Sequence, residues 1–304
     1  MICPDCHARL PAAPAATSCG HCSWKMQTRG RVPVYLSGDD LRDPMFGRYL
    51  ENYDQIAAAD LRHSIQDPAH IAVQARRIVD YLGSVQGLSV CEVGVGQGAA
   101  ARGAGTARPA RLLGVDISTE YLERLVDEGF SVCVCNAENL VFDGEFDVMI
   151  ATDILEHVLN VGDFLVSINR GLVPGGRFVV RVPLEENLMQ HARQLGCPYR
   201  LVHLRSFTVR GLTQMLEHAG FEVEAIHRDG FQLGIHRPIY PGWLARRCTR
   251  LLDAHHSRLR RAPGLWNVIE RAYLRPFEVA AVCRKTKDLP TTGGQLRGAG
   301  PGGG

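Results

Sequence analysis

Several things are missing from this 304-residue chain, and each absence removes a class of function. No run of about 18 apolar residues occurs, so the sequence offers no membrane-spanning segment. The opening Met1-Ile-Cys-Pro-Asp-Cys6 has neither the basic nor the apolar region of a secretory signal, so a cytoplasmic location is expected. Charge of one sign is also missing: 34 Lys+Arg against 32 Asp+Glu leave +2, which gives no whole-chain attraction to nucleic acid. Aromatics are sparse at 7%, and no internal repeat is visible. Hydrophobic residues at 45% nevertheless suffice to bury a full core in one large α/β domain with a small appendage.

Cysteine is abundant and unevenly placed. Of ten, Cys3, Cys6, Cys19 and Cys22 fall at the start as two Cys-x-x-Cys knuckles. Without a secretory signal a disulfide framework is disfavoured, and this spacing suits a structural zinc ion in an all-thiolate tetrahedron. With so few apolar residues, residues 1–36 form a knob that needs the metal to fold. His7 and His21 are adjacent alternative ligands.

Beyond the knob, residues 37–86 read as an N-terminal helical segment, with Ile71, Ala75, Ile78, Val79 and Leu82 at helical spacing. Residues 87–290 alternate short apolar runs with helical patterns, the mark of βαβ units and a parallel, doubly wound sheet. A helical insert over 235–276 interrupts them. It carries nine arginines against Asp253 and Glu270, a local charge of +7, with apolar stripes Leu244, Cys248, Leu251, Leu252 and Leu265, Val268, Ile269, Ala272. It reads as a cap over the active site, and peripheral membrane contact or an anionic substrate would also suit it. Tyr240, Trp243 and Trp266 in it could line an acceptor pocket. The Gly-rich end, 291–304, is expected to be disordered.

The chemistry-bearing pattern begins where Ser89–Val93 runs into Gly94-Val-Gly96-Gln-Gly98. Such a strand–glycine–helix unit turns sharply and leaves free amides above the strand end, although the loop alone is weak evidence. The following strand ends at Asp116, where a carboxylate can accept both hydroxyls of a ribose, and the next ends at Asn136, whose carbonyl could take an adenine amino group. Three successive strand ends suited to one nucleoside make a coherent site. Gly103, Gly105 and Pro109 weaken the helix after the loop, so it should be short or kinked.

Cys91-Glu-Val-Gly-Val-Gly-Gln-Gly98, Leu113-Gly-Val-Asp-Ile-Ser118, Asn136-Ala-Glu-Asn-Leu140 and Phe146-Asp-Val-Met-Ile-Ala-Thr-Asp-Ile-Leu-Glu-His157 resemble class I S-adenosylmethionine-dependent methyltransferases, nearest the UbiE/UbiG-like, type 11 group. Gly171–Val180, His203–Phe207 and Leu216–Phe221 resemble later segments of the same group, so the likeness covers roughly 45–234 plus a last strand at Phe277–Cys283. Arg31–Leu36 resembles the end of a Trm112-like zinc ribbon. The resemblance implies a Rossmann-like sheet of seven strands and S-adenosylmethionine as cofactor. Glu92, Gly94, Gly96 and Gly98 would hold its methionine part, Asp116 its ribose, and Ile117, Asn136 and Ala137 its adenine. Asn136 stands where the family has aspartate.

Asp153, Glu156 and His157 follow the fourth strand of that pattern. If helical, they share one face, either as a base with orienting acids or as ligands of a divalent cation such as Mg²⁺, with His203 as a further ligand. The expected activity is methyl transfer to a small-molecule acceptor: a metabolite, quinone-type phenol or envelope sugar. The competing expectations are an RNA or protein methyltransferase that grips its substrate through the ribbon and arginine-rich insert, and a non-catalytic binding module. The charge balance and the lack of an Asn-Pro-Pro-Tyr motif disfavour nucleic acid.

Overall fold

A computed structural model describes residues 1–11, 17–62, 68–186, 203–233, 247, 251 and 274–289. Nine strands form one sheet: β1 (Gln27–Arg29), β2 (Val32–Tyr35), β3 (Ser89–Val93), β4 (Arg111–Asp116), β5 (Ser131–Cys135), β6 (Phe146–Thr152), β7 (Leu172–Pro183), β8 (Phe221–Leu233) and β9 (Leu274–Lys285). Their order is β1-β2-β5-β4-β3-β6-β7-β9-β8. The seven strands implied by the resemblance are β3 to β9, and the Cys-rich knob lengthens the sheet by two. Val34 and Tyr35 of β2 pair in parallel with Val134 and Cys135, so the knob is stitched onto the edge of β5.

From β2 to β7 the strands run parallel, while β9 is antiparallel to both β7 and β8. The chain moves outward from β3 to β4 and β5, then crosses back to place β6 on the other side of β3. That reversal puts a crevice beyond the carboxyl end of β3, the place where open α/β sheets bind ligands.

Helices cover both faces: α1 (Gly38–Arg42), α2 (Pro44–Arg62), α3 (Pro68–Leu82), α4 (Ala99–Gly105), α5 (Thr119–Asp127), α6 (Val161–Gly171) and α7 (Val209–His218). Because side chains alternate along a strand, Val90, Val148, Ile150, Val179 and Val282 face one way, against Ile78 and Leu82 of α3. Cys91, Val93, Met149, Ala151, Phe178 and Val180 face the other way, with Phe164 and Ile168 of α6 and Leu212 and Leu216 of α7. Cys3, Leu10, Trp24 and Tyr35 of the knob belong to that second core, and Trp24 donates its indole N–H to Leu36 O at 3.0 Å.

The helix after the glycine loop has only seven residues, as its glycines imply. Gly103 has a packing reason as well: a Cβ there would lie 2.6 Å from Val79 Cγ2, so the glycine lets α3 and α4 touch. The insert over 235–276, with Tyr240, Trp243 and Trp266, lies outside the described residues apart from Arg247, Leu251 and the start of β9; so does the segment 291–304. Among the described residues no helix is long and apolar enough to cross a membrane.

Candidate functional site at the carboxyl edge of the sheet

Gly94, Gly96 and Gly98 all have positive φ (73°, 49° and 77°), a region that side chains with a Cβ enter only under strain. A Cβ on Gly94 would stand 2.8 Å from Ile154 Cδ1, and one on Gly98 would stand 2.6 Å from Leu125 Cδ2. Gly96 differs, because a Cβ there would meet nothing within 4 Å; its bare Cα borders open space. The loop is held from behind by Val115 O, which accepts from the amides of Gly94 (2.8 Å) and Val95 (3.0 Å).

Asp116 closes the loop from the side. Its Oδ2 accepts from Gly96 N at 2.8 Å, and its Oδ1 accepts from Ile117 N (2.8 Å) and Ser118 N (2.9 Å). Burial raises its pKa, and the three amides work against that rise. An ionised carboxylate has about four acceptor positions, so capacity for one further donor remains. Beneath the loop, Glu92 is 2% exposed and its Oε2 has no hydrogen-bond partner among the described residues. Burial pushes its carboxyl up to about 8, against a backbone hydrogen bond from Ala101.

At the end of β5, Asn136 is committed on both sides of its amide. Its Oδ1 accepts from Glu138 N at 2.9 Å, capping the short 3₁₀ turn Ala137–Asn139, and its Nδ2 donates to Asp40 Oδ1 at 2.7 Å. Asp40 is itself fixed by a capping box with Ser37 at the start of α1. The metal-type knuckle reaches the same place: Pro4 O accepts from Asn139 Nδ2 (3.0 Å) and Asp5 Oδ1 accepts from Gly38 N (2.7 Å). In the knob, the sulfurs of Cys3, Cys6, Cys19 and Cys22 all lie within 4.8 Å of one another, with Cys3–Cys22 and Cys6–Cys19 separations of 3.6 Å. A tetrahedron of thiolates about 2.3 Å from one zinc has edges near ~3.8 Å, so the donor set fits that ion.

The segment after β6 departs from the helical expectation. Asp153 takes φ 53°, a left-handed conformation, and turns away from the residues that follow. Arg181 of β7 holds it there: Arg181 O accepts from Asp153 N at 3.0 Å, and the guanidinium forms an ion pair with the Asp153 carboxylate. Burial opposes the charge of Arg181, but the fields of Asp153 and Glu278 outweigh it and raise its pKa. Residues 154–158 then make a single turn, with Ile154 O accepting from His157 N (2.9 Å) and Val158 N (3.2 Å).

That turn brings together Glu156, His157 and His203, whose ligand atoms lie within 4.8 Å of one another; Asp153 is not among them. The His157 and His203 rings meet edge to face at 4.6 Å, and His157 Nε2 lies 3.9 Å from Glu156 Oε1. His203 Nδ1 bonds Glu186 Oε2 at 2.5 Å. Glu156 is 1% exposed, and no other described residue hydrogen-bonds either of its carboxyl oxygens. Burial first, and then the charge of Asp153, drive its carboxyl well above the usual range. Arg205 clamps the turn, donating to the carbonyls of Leu155 (2.8 Å), Val158 (2.5 Å) and Leu159 (3.1 Å).

Sequence reasoning overlooked Asp40, Arg181 and the residues of α2 that lie across the site. The Ser37-x-x-Asp40 spacing was a usable capping signal. Nothing in the sequence marked Arg181, which sits in a run that reads only as a strand.

A family model described as a methyltransferase domain matches residues 68–226. A curated protein of Mycolicibacterium smegmatis, named a "Probable S-adenosylmethionine-dependent methyltransferase", is 34% identical over 82 residues, 27% of this chain; the chain spans 31% of that relative's length. Among solved structures, a chain from the complex between the Haloferax volcanii Trm112 methyltransferase activator and a methyltransferase superimposes with TM-score 0.57 at 18% identity, covering 80% of this chain and 100% of that one. A methyltransferase from Archaeoglobus fulgidus gives TM-score 0.52 at 15% identity, again over 80% and 100%. At such identities the structural likenesses speak for the fold alone.

Proposed function

The chain belongs to the class I S-adenosylmethionine-dependent methyltransferases, and from that premise we propose that it methylates a hydroxyl of a small-molecule acceptor with His157 as the base. The acceptor would be a metabolite, a quinone-type phenol or an envelope sugar intermediate. Bound S-adenosylmethionine supplies a methyl group already activated on a sulfonium, so the protein's task is alignment, exclusion of water and removal of one proton.

The residues present suit that cofactor. Glu92, with one buried oxygen that no described residue partners, fits an ammonium group. Gly96 leaves the open face of the loop free of side chain. Asp116 keeps acceptor capacity for a ribose hydroxyl, Ile117 would pack on the adenine face, and Asn136 and Ala137 would border its edge. Zinc at Cys3, Cys6, Cys19 and Cys22 would make the knob rigid.

The observation that carries the catalytic reading is the imidazole pair beside a buried acid, His157 and His203 with Glu156. An imidazole titrates near 6.5 and can accept an acceptor's proton at neutral pH. Glu156, 3.9 Å from His157 Nε2 and held towards its neutral form by burial, would orient that ring, and Glu186 would fix the second. The same three residues favour a second reading in which they hold a divalent cation that acidifies the acceptor. In either version Asp153 supports through Arg181 rather than acting directly.

Calorimetry tests the premise: the wild type should bind S-adenosylmethionine, and Asp116→Ala should weaken binding by a few kcal/mol at most. A wild type that binds none overturns the enzyme reading. Turnover that survives chelator favours the free base, and turnover lost to chelator and restored by Mg²⁺ favours the cation.

A further inference from the structure

The strands added by the knob change what surrounds the nucleoside side of the crevice. β2 lies parallel to β5, with Tyr35 opposite Cys135, so the two strands end side by side at the carboxyl edge. Beyond β5 stands Asn136; beyond β2 stand Leu36, Ser37 and helix α1. Ser37 is buried and opens α1 with a reciprocal cap. Its Oγ accepts from Asp40 N at 2.9 Å, and Asp40 Oδ2 accepts from Ser37 N (2.8 Å) and Ser37 Oγ (2.6 Å). The cap engages one carboxylate oxygen of Asp40 and aims the other, Oδ1, at Asn136 Nδ2, 2.7 Å away. Asp5, inside the first Cys-x-x-Cys knuckle, braces the same turn by accepting from Gly38 N at 2.7 Å.

This pairing decides which way round the Asn136 amide sits. An amide can exchange its oxygen and nitrogen by turning over, and its partners select the orientation. Both partners here have one sense: the Asp40 carboxylate oxygen accepts, and Glu138 N, 2.9 Å from Asn136 Oδ1, donates. Turned over, the amide would set donor against donor and acceptor against acceptor. A carbonyl oxygen has two lone pairs, of which the Glu138 amide takes one, so one remains for a donor in the crevice. Asp40 and Asn136 are both only partly buried, so the pair borders the crevice rather than the core. Aspartate, which the family has at this strand end, would face the Asp40 carboxylate at hydrogen-bond distance, and like charges that close repel.

We infer that Asp40 is a positioning residue that selects adenine: it holds Asn136 so that the carbonyl, and not the amide nitrogen, faces the base and accepts from its exocyclic amino group. The single acid of the family is thus replaced by an amide and an acid from a neighbouring element, which the knob's strands bring alongside. Asp40 itself needs no contact with the cofactor. The inference rests on the cofactor site proposed above and adds the means by which that site rejects a base carrying oxygen in place of the amino group. Such a base presents a lone pair to the Asn136 carbonyl, and two acceptors then face each other unmet.

The test uses the full chain and needs no knowledge of the acceptor. Calorimetric titrations compare S-adenosylhomocysteine with its deaminated analogue, S-inosylhomocysteine, whose base has a carbonyl oxygen in place of the amino group. The wild type should prefer the adenine compound. In Asp40→Asn, Ser37 still holds the side-chain oxygen at position 40, so the amide nitrogen points at Asn136 and turns it over. The adenine compound should then bind roughly 5–50-fold more weakly, and the preference for adenine should vanish or reverse. Asn136→Asp should also weaken binding, through two facing carboxylates. The double exchange, Asp40→Asn with Asn136→Asp, again sets a donor opposite an acceptor and should recover most of the adenine preference. A merely structural bond would not move the ratio between two ligands that differ only in the base. An unchanged ratio in Asp40→Asn, a double variant no better than the single ones, or a wild type indifferent to the base would overturn the inference and leave the methyltransferase reading intact. A wild type that binds neither compound would overturn both.

Discussion

At the ends of β4 and β5, the acid and amide side chains are met within the protein, whereas the buried Ser118 and Thr119 hydroxyls just past β4 have no partner among the described residues: Asp116 accepts three amides, Asn136 caps one turn and holds Asp40, and the Cys3–Cys6 knuckle ties Asn139 and Gly38. At the ends of β3 and β6, by contrast, Glu92 and Glu156 keep buried carboxyl oxygens that no other described residue satisfies. The first side is preformed and adds to the stability of the empty chain. The second side subtracts from it, because buried polar groups without partners are destabilising. The difference teaches where to look for chemistry in this fold: sequence and stability agree on the nucleoside side and part company around the reacting methyl group.

The largest test of the contrast is to undo the preformed side. A Cys3→Ser/Cys6→Ser double variant should lose one zinc per chain by metal analysis, and with it the fold of the knob. Structural zinc in small ribbons is worth on the order of 10 kcal/mol, so the knob should be unfolded under ordinary conditions. Zinc retained by the double variant would reject the assignment.

Next comes the strained side. His157→Ala should lower kcat by roughly 10²–10⁴ with cofactor affinity nearly unchanged, measured by steady-state kinetics beside calorimetry. A fully active variant would return the mechanism to alignment alone.

The smallest effect is on stability. Glu92 has a folded pKa of about 8 against an ordinary value of 4.5, so the native state binds the extra proton between those limits. Its contribution is complete below 4.5 and is lost as pH rises through about 8. Urea titrations of the empty chain should therefore show stability falling over that window, by at most ~1.4 kcal/mol per pH unit from this group. Glu92→Gln should flatten the slope. An unchanged slope in the variant would mean that Glu92 is already ionised in the empty protein.

How far the sequence could be read follows the same division. Glycine spacing after a strand, the acid at the end of the next strand and the paired Cys knuckles are patterns with fixed local offsets, and each lies where the periodicity put it. The short α4 was likewise legible from Gly103 and Gly105, although the reason for Gly103 is contact with Val79, which no local pattern reveals. What could not be read depended on long-range partners. A helical face for Asp153, Glu156 and His157 was reasonable spacing, but one left-handed residue, locked by an arginine 28 positions later, sends Asp153 elsewhere and lets His203 take its place. Tyr53 and Asp60 are ordinary amphipathic-helix residues until the helix is laid across the glycine loop, Asp60 on Gln97 and Tyr53 on the cluster around Val95.

The parallel pairing of β2 with β5 has a further consequence. β5 would otherwise be a sheet edge, a row of open amides and carbonyls beside the apolar Val132 and Val134. Such an edge invites the strands of other molecules. The two-residue ladder from the knob covers part of it, and β1 beyond is only three residues long, with Gln27 and Thr28 exposed. A cysteine cluster that reads as a metal site is, in colloidal terms, also a guard: it trades a long adhesive margin for a short, polar one.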